Sequence, residues 1–176
     1  MTWNSAVRSE MNLSNLLPVT LTPIKQLLGP SDIPALQASV QSVAPFPITI
    51  LTYNSVLDKA AGVLGIIHVE DSSTGQEASS EVVQFRRVWP PPRDAFVQIA
   101  PNDRIEVEIP LRTHTLEQGK RYDVVAKWAW QGLWKGEPNH AMEACSAGDT
   151  TEGLWNGPTT EVQMEGAFEF KEFKEL

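Results

Sequence analysis

The stretch RIEVEIPL, residues 104–111, alternates polar and apolar side chains at every step. In an extended chain Ile105, Val107 and Ile109 fall on one side, and charged residues fall on the other, because successive side chains of a strand point to opposite faces. The stretch therefore predicts a half-buried strand with one wet face. Such strands are typical of antiparallel sheets, since parallel strands are buried on both faces and read as continuous apolar runs.

The same period of two recurs in YDVVAKWAW (122–130) and in EVQMEGAFEF (161–170). It places Trp128 and Trp130 on the inward side with Tyr122, so we expect both tryptophans in the core. Further strand candidates, separated by proline and glycine turn signals, are 18–24, 36–43, 48–53, 62–70, 81–88 and 95–100. Many short strands at this spacing predict an all-β sandwich or barrel.

The composition suits one globular domain that binds neither nucleic acid nor a membrane. The chain has 176 residues, of which 41% are hydrophobic, and a formal net charge of −8. A chain of this size buries roughly 70% of its unfolded surface, so it needs no metal or disulfide to fold. Its acidity opposes phosphate backbones and anionic lipids, whose binding rests on clustered lysine and arginine. No apolar run approaches the roughly 20 residues of a spanning helix.

The single cysteine, Cys145, cannot form an internal disulfide, so the framework common in small secreted domains is absent. The first residues, MTWNSAVRSEMNLSNLLP, contain no charged segment followed by an apolar one, and they do not read as a signal peptide. We therefore expect a cytoplasmic protein on the sequence as it stands, and a secreted one if a signal peptide has been trimmed.

Three passages carry a resemblance to a known family: PITILTYNSVLD (47–58), DAFVQIAPNDRIEVEIPL (94–111) and GKRYDVVAKWAW (119–130). Together they resemble the propeptide domain of fungal deuterolysin-type metalloproteases, and the small standalone fungal proteins that share it. The resemblance covers roughly residues 36–134 and implies an immunoglobulin-like sandwich of fungal origin. The catalytic domain of such proteases carries an H-E-x-x-H zinc motif, which this chain lacks, so no protease activity is implied. Because a propeptide covers the cleft of its enzyme, a free-standing relative is expected to be an inhibitor or another binding protein.

We predict a single immunoglobulin-like antiparallel β-sandwich of about 7–9 strands. It spans residues 18–176 and includes a long loop insertion at 131–160. Residues 1–17 form an N-terminal arm, either disordered or a short helix, since Trp3, Val7 and Met11 are spaced four apart.

The tryptophan-rich loop at 131–160 is the predicted place for function. Connections longer than roughly 12–15 residues without their own structure are uncommon unless they are functional or disordered. Trp134 and Trp155 lie beyond the alternating pattern, so we expect them as exposed anchors, because tryptophan is enriched at interface hot spots. Packing of this loop over the sheet, binding of a ligand or partner, and disorder all stay open.

The turn VWPPPR, residues 88–93, is expected to lie at the same end of the sandwich. Its Trp89 either lines this surface or packs beneath it, and its Arg93 offers a cationic side chain. The predicted ligand- or partner-binding residues are Trp89, Arg93, Trp134, His140 and Trp155.

A catalytic alternative uses His140 and Glu143 as the polar groups of a tryptophan-lined pocket in a cofactor-independent isomerase or cyclase, or in a small-molecule binder. With Cys145, the same residues offer zinc ligands, but their spacing matches no recognised site. We therefore predict no metal. No phosphate-binding glycine motif occurs, so no cofactor is expected.

The sequence thus favours a non-enzymatic binding module, in the form of a protease-propeptide-like inhibitor or a protein-binding domain. The expected partner is a protein or a hydrophobic small molecule. A homodimer also stays open, because the free edges of a sandwich allow strand addition.

Overall fold

A computed structural model describes residues 12–147 and 159–172. Within them the chain forms short strands, one α-helix and 3-10 turns at Leu13–Leu16, Ala61–Val63 and Arg93–Ala95. The strands are β1 Val19–Pro23, β2 Leu27–Leu28, β3 Ala35–Gln41, β4 Ile48–Leu51, β5 Ile67–Asp71, β6 Phe96–Ile99, β7 Arg104–Pro110, β8 Arg121–Trp128, β9 Gly132–Lys135, β10 Thr160–Gln163 and β11 Phe168–Phe170. The helix α1 is Pro138–Ser146.

The strands form an all-β sandwich, as the alternation predicts. Among the described residues the strands form three sheets. Their strand orders are β1-β3-β7, β10-β8-β11-β2 and β6-β4-β9, and β5 also pairs with β8. The pairing of β2 with β11 is parallel, whereas the other ladders are antiparallel. The eleven strands within residues 12–147 and 159–172 exceed the expected number because β2 and β9 add short ladders and the 161–170 stretch divides in two.

The deciding stretch, 104–111, is a strand with the expected faces. Ile109 and Leu111 are buried and Val107 is half-buried, whereas the glutamates between them are exposed. Strand β7 pairs with β3 in a register that sets Ala38 opposite Val107. As the last strand in its sheet order, β7 leaves its other edge without a strand partner among the described residues.

Strand β8 is the centre of the largest sheet and confirms the second alternating stretch. Tyr122, Trp128 and Trp130 are almost fully buried. The two tryptophan rings meet edge to face, with centroids 5.5 Å apart and planes at 88°. This geometry suits the quadrupoles of aromatic rings, so the pair packs as a unit of the main core.

The third alternating stretch keeps its expected faces but is interrupted. Val162 packs against the core and Phe168 is fully buried, on either side of a turn. Gly166 in that turn has φ +84, a conformation that side chains rarely adopt. The turn moves the chain along the sheet edge, so β10 and β11 pair with different parts of β8.

Two strand predictions need correction. The 81–88 stretch forms no strand, and β5 begins only at Ile67, after a 3-10 turn in the predicted 62–70 strand. In the 81–88 stretch the apolar residues Val82 and Val83 are adjacent. Adjacent valines do not by themselves exclude a strand, because Val124 and Val125 are adjacent in β8, so β propensity alone does not decide whether a stretch joins the sheet.

The prediction of a long loop at 131–160 is wrong for the first half of that range, which forms a strand and a helix. Residues of β9 continue from β8 and pair with β4, with Trp134 opposite Thr49. Helix α1 follows, with Pro138 in its first turn, where proline costs no hydrogen bond. Good helix formers, Ala141 to Ala144, carry it onward. The later half of the loop, 148–158, lies outside the described residues.

Only residues 12–17 of the predicted N-terminal arm are among the described residues. Residues 1–11 lie outside the described residues. The 3-10 turn at Leu13–Leu16 packs against the main core, and Leu17 is buried in it.

Candidate partner-binding surface

An exposed apolar segment, residues 81–89, connects the region after β5 to the proline turn before β6. In the described residues nine large hydrophobic side chains are exposed, and five of them lie in this segment. They are Val82, Val83, Phe85, Val88 and Trp89, with exposed fractions from 41% to 67%. Single exposed apolar residues are ordinary, whereas a contiguous group marks an interaction site.

The backbone of the 81–89 segment makes few hydrogen bonds. The Val83 N–H donates to the Val63 carbonyl at 2.7 Å. The hydroxyl of Thr113 donates to the Glu81 carbonyl at 3.2 Å, and that of Tyr53 donates to the Val88 carbonyl at 3.3 Å. Within the part of the chain that the structure describes, the other backbone groups of this segment have no partner, so they are available to another chain.

Arg87 points inward and fixes the segment to the body of the protein. Its guanidinium forms an ion pair with Asp58, whose side chain is only 5% exposed. The same guanidinium lies over the rings of Tyr53 and Phe85, at 4.9 and 5.2 Å from their centroids. A cation held between two aromatic faces and a carboxylate has little freedom, so the segment is well positioned.

The proline turn continues the surface from the 81–89 segment. Trp89 is 51% exposed and joins Pro90 through a cis peptide bond. Arg93 is exposed, and its guanidinium donates to the Phe96 carbonyl at 3.2 Å. Of the predicted binding residues, these two lie together on one accessible turn.

Trp134 does not serve as an exposed anchor, which corrects the sequence prediction. It is only 2% exposed, and its ring lies 5.8 Å from that of Phe96, at an angle of 60°. It belongs to a second, smaller core. The members of this core are Leu51, Ala95, Phe96, Trp134, Ala141 and Cys145. The pairing of β9 with β4 turns Trp134 inward, although the alternating sequence pattern ends before this residue.

The smaller core links helix α1 to the proline turn. Ala141 and Cys145 of α1 pack with Ala95 and Phe96, which follow that turn directly. Tyr53, which contacts Arg87, packs against the same core. The structure therefore brings the first half of the 131–160 region and the VWPPPR turn to one part of the molecule.

His140 and Glu143 lie on the exposed side of α1. Cys145 is buried on the opposite side, and burial raises the pKa of its thiol. The three side chains therefore do not converge on one metal ion. In the described residues no group of three or more His, Cys, Asp or Glu is placed to hold a metal. No helix among the same residues has the length and apolar character to cross a membrane.

The tryptophan-lined pocket of the catalytic alternative stays a prediction, because residues 148–158 of the loop that would form it lie outside the described residues. The chain has a cavity of about 470 Å³, but residues 56–63 and 107–112 form it, without a tryptophan, His140 or Glu143. Trp155, also expected at the site, lies outside the described residues.

His114 is a partly buried histidine beside β5. Its Nε2 lies 3.2 Å from the Ile67 carbonyl oxygen, and its buried Nδ1 has no hydrogen-bond partner among the described residues. Burial lowers the pKa of this imidazole below its usual value. The ring is therefore held neutral, donating from Nε2.

Sequence reasoning missed Val82, Val83, Phe85 and Val88 as surface residues because it assigned them to a strand. The local pattern carried no signal against a strand, because adjacent valines also occur in β8, at Val124 and Val125.

Comparisons with known proteins agree with the fold. A family model for immunoglobulin-like domains matches residues 28–169. A protein of Arthroderma benhamiae, named an uncharacterized secreted protein, is 34% identical over 91 residues, which are 50% of this chain. The match covers 46% of the relative, so the chain spans about half its length.

One similar solved structure is the Pseudomonas fluorescens alkylpurine DNA glycosylase AlkC, bound to DNA containing an abasic site analog. The match covers 86% of this chain and 31% of the glycosylase chain. The identity is 10% and the TM-score is 0.31. Nothing about the function of this chain follows from a likeness of that size.

Proposed function

The chain belongs to the immunoglobulin-like domain family over residues 28–169, and we propose that it is a non-enzymatic binding module that holds a protein partner with the 81–89 segment. The observation that carries this proposal is the exposure of five large apolar side chains within eight residues. Covering such a patch is favourable by roughly 25 cal/mol per Å² of apolar surface removed from water.

The binding mode that fits this segment is strand addition. An extended stretch of a partner pairs with the free N–H and C=O groups of 81–89, and the apolar side chains select among partners. The sequence of the segment has the β-branched and aromatic residues of a strand, while none of the strands in the described part of the chain pairs with it. A partner strand therefore completes pairing that the chain leaves open.

The anchoring of Arg87 supports the same function. The Asp58 ion pair and the two ring contacts hold the segment in one place before binding. A binding segment that is already ordered loses less conformational entropy when the partner arrives. The apolar side chains of the 81–89 segment are thus held in position before the partner binds.

Two exposed cations indicate the chemistry of the partner. Arg86 lies within the segment and Arg93 on the adjoining turn. Arginine binds carboxylates with two parallel hydrogen bonds. The proposed partner segment is therefore extended, apolar in its centre and acidic at its flank.

A finer form of the proposal is an inhibitor of a deuterolysin-type metalloprotease, supported by the resemblance of residues 47–58, 94–111 and 119–130 to that family's propeptide. The similar protein of Arthroderma benhamiae is named as secreted. We accordingly propose that this chain acts outside the cell, where such a protease works. The comparisons do not support the cytoplasmic expectation.

The test of the binding module compares three immobilised baits in a fungal culture filtrate. These are the full chain, its Phe85→Asp/Val88→Asp variant and a Val43→Asp control, whose substitution alters an exposed valine elsewhere. We expect a protein, identified by mass spectrometry, on the first and third baits and at least tenfold less of it on the second. Equal recovery on all three would overturn the proposal.

The inhibitor form needs its own measurement. The purified chain is titrated against a deuterolysin-type metalloprotease, and we expect inhibition that saturates at one equivalent and is lost with Phe85→Asp/Val88→Asp. If a tenfold molar excess leaves protease activity unchanged while the filtrate partner is still captured, the inhibitor form is wrong and the binding module stands.

A further inference from the structure

The cavity of about 470 Å³ lies apart from the partner-binding surface, between the 56–63 turn and the edge strand β7. We propose that this cleft binds a small amphipathic anion, with an aliphatic or aromatic body and one carboxylate. Its size falls within the range of small-molecule sites, roughly 300–1,000 Å³. The site is independent of the proposed function.

The walls of the cleft are apolar. Val56, Leu57 and Ala60 contribute from the turn, and Val107 and Ile109 contribute from β7. Val56 and Ile109 belong to the main hydrophobic core, so the inner wall is backed by packed side chains. An aliphatic chain or aromatic ring laid there replaces water at an apolar surface, which is the main driving force for such ligands.

The rim of the cleft carries an excess of positive charge. Lys59 and Arg112 line it, are exposed, and form no ion pair within the described residues. Asp58 is occupied, because its carboxylate binds Arg87 and the N–H groups of Asn54 and Ala60.

Glu108 is the remaining lining acid, so two cations face one free carboxylate. A local excess of one positive charge, in a chain of formal net charge −8, favours an anionic head group.

The inner end of the cleft is shaped by a close approach of two backbones. A Cβ added at Gly62 would lie 2.3 Å from the Pro110 carbonyl oxygen, so only glycine fits there. The 3-10 turn at Ala61–Val63 can thereby rest on β7. The cleft is therefore a fixed feature of the fold and needs no opening motion to admit a ligand.

Binding of decanoate and of the neutral analogue decanol to the full chain tests the assignment. Amide signals of the chain are followed by two-dimensional NMR during each titration. We expect saturable shifts from one equivalent of decanoate at residues 56–63 and 107–112. We expect about tenfold weaker binding of decanol, because it lacks the charge that Lys59 and Arg112 neutralise.

Four variants separate charge from cavity. Lys59→Gln/Arg112→Gln should weaken decanoate binding about tenfold and leave decanol binding unchanged. Ala60→Phe and Val107→Phe, which fill the cleft from opposite walls, should each abolish binding of both probes while the spectrum stays folded. Arg86→Gln, which removes an exposed cation outside the cleft, should change neither.

Some outcomes would overturn the assignment. Equal affinity for decanoate and decanol would exclude the anionic head group, and undiminished binding to both folded phenylalanine variants would exclude the cleft. Non-saturating shifts centred on 81–89 would mean that the probe covers the partner-binding surface instead. The Phe85→Asp/Val88→Asp variant keeps full decanoate binding, so this assignment and the proposed function stand or fall separately.

Discussion

Arg87 forms an ion pair with Asp58, a residue 29 positions earlier in the chain. Asp58 also accepts hydrogen bonds from the N–H groups of Asn54 and Ala60, at 2.8 and 2.9 Å. This one carboxylate therefore shapes the 54–60 turn, which forms a wall of the cleft, and at the same time holds the 81–89 segment. The two proposed binding sites share a structural support while using different side chains.

Replacing Arg87 with methionine should destabilise the protein by about 3 kcal/mol. The substitution leaves the buried carboxylate of Asp58 without its cation, whereas the apolar stem of the side chain is kept. Urea unfolding measures the change in free energy. Arg86→Met is the control, since Arg86 is exposed and should shift the stability by less than about 0.5 kcal/mol.

A double variant shows whether an uncompensated charge is the cause. Asp58→Asn/Arg87→Met removes both charges, so it should be more stable than Arg87→Met alone. If the double variant is the less stable of the two, the loss comes from the ring contacts and the turn hydrogen bonds.

Trp89 and Trp134, which the sequence predicts on one surface, should differ in how much they contribute to stability. Trp134→Ala removes a ring that is 2% exposed and should cost about 3–5 kcal/mol. Trp89→Ala truncates a half-exposed ring and should cost about 0.5 kcal/mol or less. Thermal and urea unfolding compare the two variants. Similar losses from both would contradict their placement in the core and on the surface.

Stability should fall as the pH drops through the usual pKa of His114, near 6.5. Burial lowers the folded pKa, while Glu77 opposes the shift and His68 adds to it. Between the lowered folded value and 6.5 the unfolded chain binds more protons, so protonation favours unfolding there; above 6.5 the ring is neutral in both states.

His114→Gln tests this origin, because the amide keeps a donor for the Ile67 carbonyl and does not titrate. Unfolding free energies between about pH 7.5 and 5.5 should decline less in this variant than in the parent chain. If the free energy of unfolding falls with decreasing pH as steeply in His114→Gln as in the parent chain, other groups cause the decline.

Much of the fold could be predicted from local alternation, because a half-buried strand must alternate. The faces of β7 and β8, including the burial of Trp128 and Trp130, followed from that rule. Alternation carries no information about which strands are neighbours. The parallel pairing of β2 with β11, and the pairing of β9 with β4, arise from contacts between distant parts of the chain.

The site was harder to predict for a related reason. Trp134 follows Gly132, where alternation stops, yet a new ladder with β4 begins at Gly132, and Trp134 is buried. The 81–89 segment has strand-like composition, but none of the described strands pairs with it, and local composition carries no information about pairing. Trp89 is 51% exposed, and it directly precedes three prolines, which cannot donate to a ladder.

The thiol of Cys145 should be inert in the folded protein. It is 3% exposed in the smaller core, and burial raises its pKa, so the reactive thiolate is scarce. Ellman's reagent should react at least a hundredfold more slowly with the native chain than with the chain in guanidinium chloride. Because Trp134 packs in the same core, Trp134→Ala should accelerate the native reaction, while Trp89→Ala should not. Fast labelling of the native parent chain would mean that α1 detaches readily from Phe96 and Trp134, and that the base beneath the proline turn is not rigid.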